Sequence, residues 1–200
     1  MSTESELKEM TAGDVDTTRL SAWIAERAEE VGLLDLAYCE VDSPIGRLLV
    51  VATPAGLVKL GFSNVPIETQ LEQLSAAISP RLLEAPARLD PVRRELEEYF
   101  SGDRREFDVP IDWRLTGGFI QLVLRETARI PFGETRTYAE MAAGAGSPRA
   151  FRAAGSALGA NPVPVVVPCH RVLRTGGGIG GYTGGLDIKL ELLRLEGVLD

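Results

Sequence analysis

The 200-residue chain is 44% hydrophobic and 25% charged, enough to bury one substantial core or two small ones, and its apolar runs, such as residues 163–167, are far too short to span a bilayer. Two cysteines, Cys39 and Cys169, without a CxxC spacing, and a single histidine, His170, exclude a disulfide framework and the usual zinc ligand sets, so no metal is expected. The formal net charge of −8 argues against a polyanionic partner only until its distribution is read: residues 1–113 carry 11 Lys+Arg against 22 Asp+Glu, whereas residues 114–200 carry 10 against 7. Any polyanion should therefore meet the second half. The acidic start of the chain has no basic-then-apolar pattern of a secretion signal, and a cytoplasmic location is the expectation.

Residues 1–15 are polar, acidic and without apolar periodicity, and they read as a disordered tail. Over residues 17–31 the apolar positions Leu20, Trp23, Ile24, Ala28 and Val31 recur at helical spacing. That helix must dock its apolar face, either on the protein's own body, the commoner outcome, or on a partner. Residues 36–62 hold three short apolar runs separated by Ser43-Pro44 to Gly46 and by Thr53-Pro54 to Gly56, the pattern of an antiparallel meander. Two helices are predicted next, one from about Glu68 to Ile78 and one opened by Asp90-Pro91 as N-cap and N1 and closed near Gly102. The expected organisation is an acidic extension with one helix (1–33), a small α/β domain (34–113) and a mainly helical module (114–200).

In that module residues 118–130 supply a first helix, stopped by Pro131 to Gly133. Thr137 and Glu140 form a Thr-x-x-Glu capping box that opens a short helix ending in residues 142–146. Ser147-Pro148 supplies a fresh N-cap and N1 for another helix, running to about Ala160. Two short helices joined by a glycine-containing turn make a helix-turn-helix pattern, which DNA-binding modules share with ordinary packed helix pairs.

The densest information lies in residues 161–172, NPVPVVVPCHRV. Prolines at both ends and an apolar centre predict an extended, buried segment that stops at a thiol. An ordinary cysteine, of pKa about 8.5, is mostly protonated at neutral pH and needs a base to become a nucleophile. Adjacent side chains of an extended segment point to opposite sides, so the expected link from Cys169 to His170 is a bridging water, with a carboxylate orienting the imidazole. On the residues alone, an inert buried thiol beside a satisfied histidine is the commoner outcome. The glycine-rich run 176–185 lacks the Gly-Lys-Ser/Thr ending of a phosphate loop, leaving a flexible loop or a pocket wall as its readings.

Pro168-Cys169-His170-Arg171-Val172 resembles the Pro-Cys-His-Arg core of the O6-alkylguanine-DNA alkyltransferase family, and the similarity runs from about Phe119 to Gly197 in the family's order and spacing. The resemblance implies a ribonuclease H-like α/β domain followed by a winged-helix-like, mainly α-helical domain carrying the helix-turn-helix. It implies irreversible, stoichiometric transfer of an alkyl group from O6-alkylguanine in double-stranded DNA, and from O4-alkylthymine, to Cys169. His170 would then act as the water-mediated base, Glu196 as its orienting carboxylate, and Asn161 as support for the thiol. Tyr138 would help turn the nucleotide out and hydrogen-bond its base, and Arg152 would fill the gap in the stack. Ala150, Ala153, Gly155 and Arg171 would join Arg152 and Tyr138 against the DNA, with small residues at 150 and 153–157 allowing a close approach in the minor groove. Val163, Pro164, Val172, Tyr182, Thr183 and Gly184 would form the base pocket. No cofactor is implied, and the protein would be a monomer able to assemble cooperatively on DNA. Thr183 replaces a usual serine, and Gly159 stands where a polar or basic residue is common. Extrusion of the base is what physics requires, since an O6-alkyl carbon inside a duplex is out of a buried thiol's reach, and something must occupy the void. Two rivals remain: a non-catalytic lesion-flagging relative, which would carry another residue in place of Cys169, and a cysteine hydrolase, which would turn over.

Overall fold

The computed structural model describes residues 17–199, so the tail expected at 1–15 lies outside the described residues. Helix α1 (Thr17–Glu30) packs on the body of the protein through small side chains, Ala25 and Ala28 meeting Leu34, Ala37 and Ala85. The meander follows as β1 (Leu36–Val41), β2 (Leu48–Thr53) and β3 (Gly56–Phe62), paired antiparallel in that order. After helix α2 (Ile67–Ala77) the chain returns as a three-residue strand, β4 (Leu82–Glu84), which pairs parallel to β1. The expected all-antiparallel sheet is thus mixed, in the order β3-β2-β1-β4. Leu49, Val51 and Val58 face α2, while Leu48, Val50 and Leu60 face the main core, which explains why β2 is apolar almost without alternation.

Helix α3 (Asp90–Ser101) starts one residue earlier than its signals suggested. Asp90 is inside the helix, bonded to Arg93, and Leu89 occupies the cap position without a side-chain bond. Gly102, at φ +85°, ends it in the left-handed conformation that favours glycine.

The second module opens with α4 (Gly118–Thr127), then the two-residue strand β5 (Arg136–Thr137) and α5 (Tyr138–Gly144). The capping box of α5 forms in full: Glu140 N donates to Thr137 Oγ1 at 3.2 Å, and Thr137 N donates to Glu140 Oε2 at 2.6 Å. Helix α6 (Phe151–Gly159) begins later than predicted, because Ser147-Pro148 closes a turn instead, with Ala150 N donating to Ser147 O at 2.8 Å. Helices α4, α5 and α6 pack on one another, and Ala154, Ala157 and Leu158 form the inner face of α6. Strand β6 (Val172–Leu173) pairs parallel with β5, and α7 (Leu186–Leu195) completes the module.

Residues 161–172 are buried as expected, but they are not extended. Val165 sits at φ +73°, a position costly for a β-branched residue, and Val167 N donates back to Val163 O at 2.9 Å. The segment then tightens into a 3-10 turn over Cys169–Arg171. Leu60 N of β3 donates to Pro162 O at 2.8 Å, so the sheet of the first half grips the thiol segment of the second.

Candidate active site

Asn161, at the exit of α6, spends its amide on the thiol segment. Its Nδ2 donates to Val167 O at 2.8 Å and to Cys169 Sγ at 3.2 Å, while its Oδ1 accepts from Val163 N at 3.1 Å. The turn is thereby pinned at three points. Cys169 is 5% exposed, and burial pushes its thiol up to about 11 even though the Asn161 bond works the other way.

The same turn carries His170 and Arg171 into the interior, toward the end of α7. His170 Nε2 lies 2.8 Å from Glu196 Oε1. A carboxylate at Nε2 draws the ring proton there, which leaves Nδ1 as the acceptor of the neutral ring. Nδ1 is buried and has no hydrogen-bond partner among the described residues. Burial lowers the pKa of His170, with Glu196 opposing it. Glu196 also accepts from Tyr99 Oη at 2.7 Å and from Gly133 N at 3.4 Å. Burial alone would raise its carboxyl, yet the hydrogen bonds from His170 and Arg171 outweigh it and hold the group at about 2.

Arg171 corrects an expectation. It is 5% exposed and bidentate on Glu196, Nε to Oε2 and Nη2 to Oε1, each at 2.8 Å, and its third nitrogen donates to Ile130 O. A guanidinium so engaged is the internal counter-ion of the His170–Glu196 pair and is not available to DNA.

A cavity of about 470 Å³ opens beside Cys169, with Tyr138, Tyr182, Thr183, Arg174 and the backbone of Gly155 and Gly159 in its walls. Of the expected pocket residues, Tyr182 and Thr183 line it. Val163, Pro164, Val172 and Gly184 do not: the first three are buried within the thiol segment, and Gly184 backs onto Phe62, whose ring lies 2.8 Å from where a Cβ would be. Thr183 is held from both sides, its hydroxyl donating to Gly159 O at 3.2 Å and its carbonyl accepting from Asn64 Nδ2 at 2.9 Å. Two positions were missed in the sequence. Arg174 is one. The other is Lys189, a fully buried ammonium whose Nζ donates to Val172 O at 2.7 Å, Ile179 O at 2.6 Å and Gly181 O at 3.4 Å, tying the glycine-rich loop to α7. The signal was present, since Lys189, Leu192, Leu193 and Glu196 fall at i, i+3, i+4 and i+7 on one helical face.

Cys169, His170, Glu196, Asn161 and Tyr138 therefore converge, whereas Arg152 stands apart. It is exposed on α6, over the ring of Phe151 at 5.8 Å, in an outer groove of about 600 Å³ shared with Tyr138, Ala139 and Thr175. Ala153 is exposed on the same face and Ala150 and Gly155 are half-buried, but Ala154 and Ala157 point into the core, so part of the small-residue run serves helix packing. Tyr138, at the start of α5, rests against Gly155, and its hydroxyl lies 2.5 Å from where a Cβ on Gly180 would be. Among the described residues no helix is long and apolar enough to cross a membrane.

Comparison with known proteins agrees with this architecture. Residues 36–113 match the 6-O-methylguanine DNA methyltransferase ribonuclease-like domain, and residues 118–198 match the DNA binding domain of the same family. The inducible methylated-DNA–protein-cysteine methyltransferase of Bacillus subtilis is 39% identical over 148 residues, covering 74% of this chain and 82% of its own length. The enzyme of that name from Mycolicibacterium paratuberculosis is 41% identical over 164 residues, covering 80% and 92%. Among solved structures, Mycobacterium tuberculosis OGT in complex with DNA superposes with a TM-score of 0.69 at 37% identity, over 80% of this chain and 92% of that one. With both halves matched in order and the relatives aligned over most of their length, the chain belongs to the 6-O-methylguanine DNA methyltransferase family.

Proposed function

We propose that the protein repairs DNA by taking the alkyl group from O6 of an alkylated guanine onto Cys169 Sγ, one lesion per protein molecule. The observation that carries this reading is a buried thiol, pinned by Asn161, that opens into a cavity beside two tyrosines while its neighbour His170 is locked onto Glu196. With the resting thiol at about 11, little thiolate exists at neutral pH, so a base must act. The buried, unpartnered Nδ1 of His170 is the acceptor for that proton, delivered from Sγ through one bridging water, and Glu196 stabilises the imidazolium. The thiolate displaces guanine in line: an S–C bond forms, the O6–C bond breaks, and the electron pair leaves on the base. A hydrogen bond from the Tyr138 hydroxyl offsets the charge that develops there. The thioether has no route to hydrolysis, which makes the event single.

Double-stranded DNA carrying alkylated guanine is the partner this reading requires. Arg152 and the exposed surface of α6, with Ala150, Ala153 and Gly155, face it, and Arg152 fills the place of the extruded base. The Thr183 methyl narrows the cavity for bulky alkyl groups. Incubation with a duplex containing O6-methylguanine should add one methyl to the peptide bearing Cys169 in intact-mass and peptide analysis, and Cys169→Ala should add none. Unchanged mass with retained lesion binding would establish a flagging protein instead, and repeated turnover of an acyl substrate would establish a hydrolase.

A further inference from the structure

Several cations of this acidic chain are spoken for. Arg47, Arg81, Arg93 and Arg104 in the first half, and Arg129, Arg136 and Arg171 in the second, all hold carboxylates. Arg174, like Arg152, holds none: its side chain is exposed and makes no ion pair or hydrogen bond among the described residues. Its location is the informative part. Tyr138 and Arg174 are the two residues common to the walls of the thiol cavity and of the outer groove holding Arg152, so they form the sill between them.

The backbone at that sill is stiff. Arg174 follows β6, its N donates to Gly178 O at 2.7 Å, and its O accepts from Gly177 N at 3.0 Å. Gly176 and Gly177, at φ +90° and +85°, make so tight a turn possible. The arginine stem lies along this turn, 3.5 Å from where a Cβ on Gly178 would stand.

A base seated over Cys169 stays tethered to its own backbone, so its phosphodiester must come to rest at the mouth of the cavity. In a chain of net charge −8, that mouth needs a local cation. Resting on the alkyl-transfer reading above, we propose that Arg174 is a phosphate clamp whose guanidinium binds the phosphodiester of the extruded nucleotide and so holds the alkylated base over the thiol. A planar, permanently charged fork suits that bidentate task. Arg152, across the groove, occupies the gap in the stack and leaves this phosphate to Arg174. The role is one of positioning, since Arg174 touches neither the alkyl carbon nor Sγ during transfer.

The test compares Arg174→Gln, Arg174→Lys and the unaltered protein in two assays. Methyl transfer to Cys169 is timed from an O6-methylguanine duplex and from the free O6-methylguanine base, which has no phosphate. Affinity for the same duplex is measured against salt in a Cys169→Ala background. Arg174→Gln should slow transfer from the duplex about tenfold at low salt and reduce the slope of log K against log salt by about 0.9, while transfer from the free base changes less than about twofold. Arg174→Lys should restore most of the duplex rate. Equal slowing in both transfer assays, or an unchanged salt slope, would overturn the clamp. If the unaltered protein never methylates Cys169, the alkyl-transfer reading falls by itself, and the salt slope still decides whether Arg174 holds a phosphate.

Discussion

Glu196 accepts from Tyr99, His170, Arg171 and Gly133, a load that only an ionised carboxylate can carry. Its group is held at about 2 in the folded protein, against an ordinary value of 4.5. For a depressed carboxyl the sign is fixed: the stabilisation is complete above the unfolded value and is lost as pH falls from 4.5 toward 2. His170 adds to the same trend from higher pH, because burial lowers its pKa and the unfolded chain takes up a proton below 6.5 that the folded ring resists. Glu196→Gln should therefore lower stability at pH 7 by about 3–5 kcal/mol, the usual result of leaving a buried partner such as Arg171 uncompensated. Urea unfolding at several pH values should also find a flatter acid limb for this variant between 4.5 and 2 than for the unaltered protein. Parallel acid limbs would mean that Glu196 is not the source of that dependence. The resemblance places Arg171 against the DNA, and no local pattern in the sequence corrects that, since its anchor Glu196 lies 25 residues away.

At the scale of elements, α7 works as a staple through Lys189, which satisfies three carbonyls of β6 and the glycine-rich loop at once. Burial lowers this ammonium to about 8, and it remains largely charged at neutral pH. Lys189→Met keeps the length of the side chain but strands those carbonyls, for an expected loss of about 3 kcal/mol. Thermal unfolding should then fall by roughly 6–12 °C, with the glycine-rich loop losing amide protection first in hydrogen exchange. A melting temperature within about 1 °C of the original would show the carbonyls to be served by solvent. Elements set by local pattern were legible in the sequence: the meander at β1 to β3, the presence of helix α1, the Thr137–Glu140 capping box, and the glycine stop after α3. The docked face of α1 was not, because it consists of Ala25 and Ala28, while Ile24 and Val31 of the expected face are exposed. Elements set by distant partners were not legible either. Strand β4 is three residues long and exists through its pairing with β1. Ser147-Pro148 is locally as good a helix start as a turn, and the packing of α6 chose the turn. Val165 at φ +73° contradicts the extended preference of a valine, and burial of the thiol segment is what imposes it.

Across the whole molecule, the two matched halves meet in one continuous core that runs from Leu48 and Leu60 of the sheet through Tyr99 of α3 to Val163, Val167 and Leu192. Polar bonds cross the same boundary: Tyr99 Oη to Glu196, Leu60 N to Pro162 O, and Asn64 Nδ2 to Thr183 O. The α/β half thus supplies a hydrogen bond to the carboxylate that orients His170, which gives it a part in the site although the thiol, histidine and cavity belong to the other half. A shared core and shared polar network predict that the halves unfold together. The protein carries its own reporters, because Cys39 lies in β1, Cys169 lies in the second half, and both are buried thiols pushed up to about 11. Short pulses of an alkylating reagent at neutral pH, applied along a urea series and read by peptide mass, should label the two cysteines with coincident midpoints. Tyr99→Phe should move both midpoints down together, by the equivalent of about 1.5–3 kcal/mol for a hydrogen bond to a charged group, with no change in the urea slope. Labelling of Cys169 at distinctly lower urea than Cys39 would show that the second half opens alone, and the α/β half would then be a neighbour of the active site instead of part of its frame.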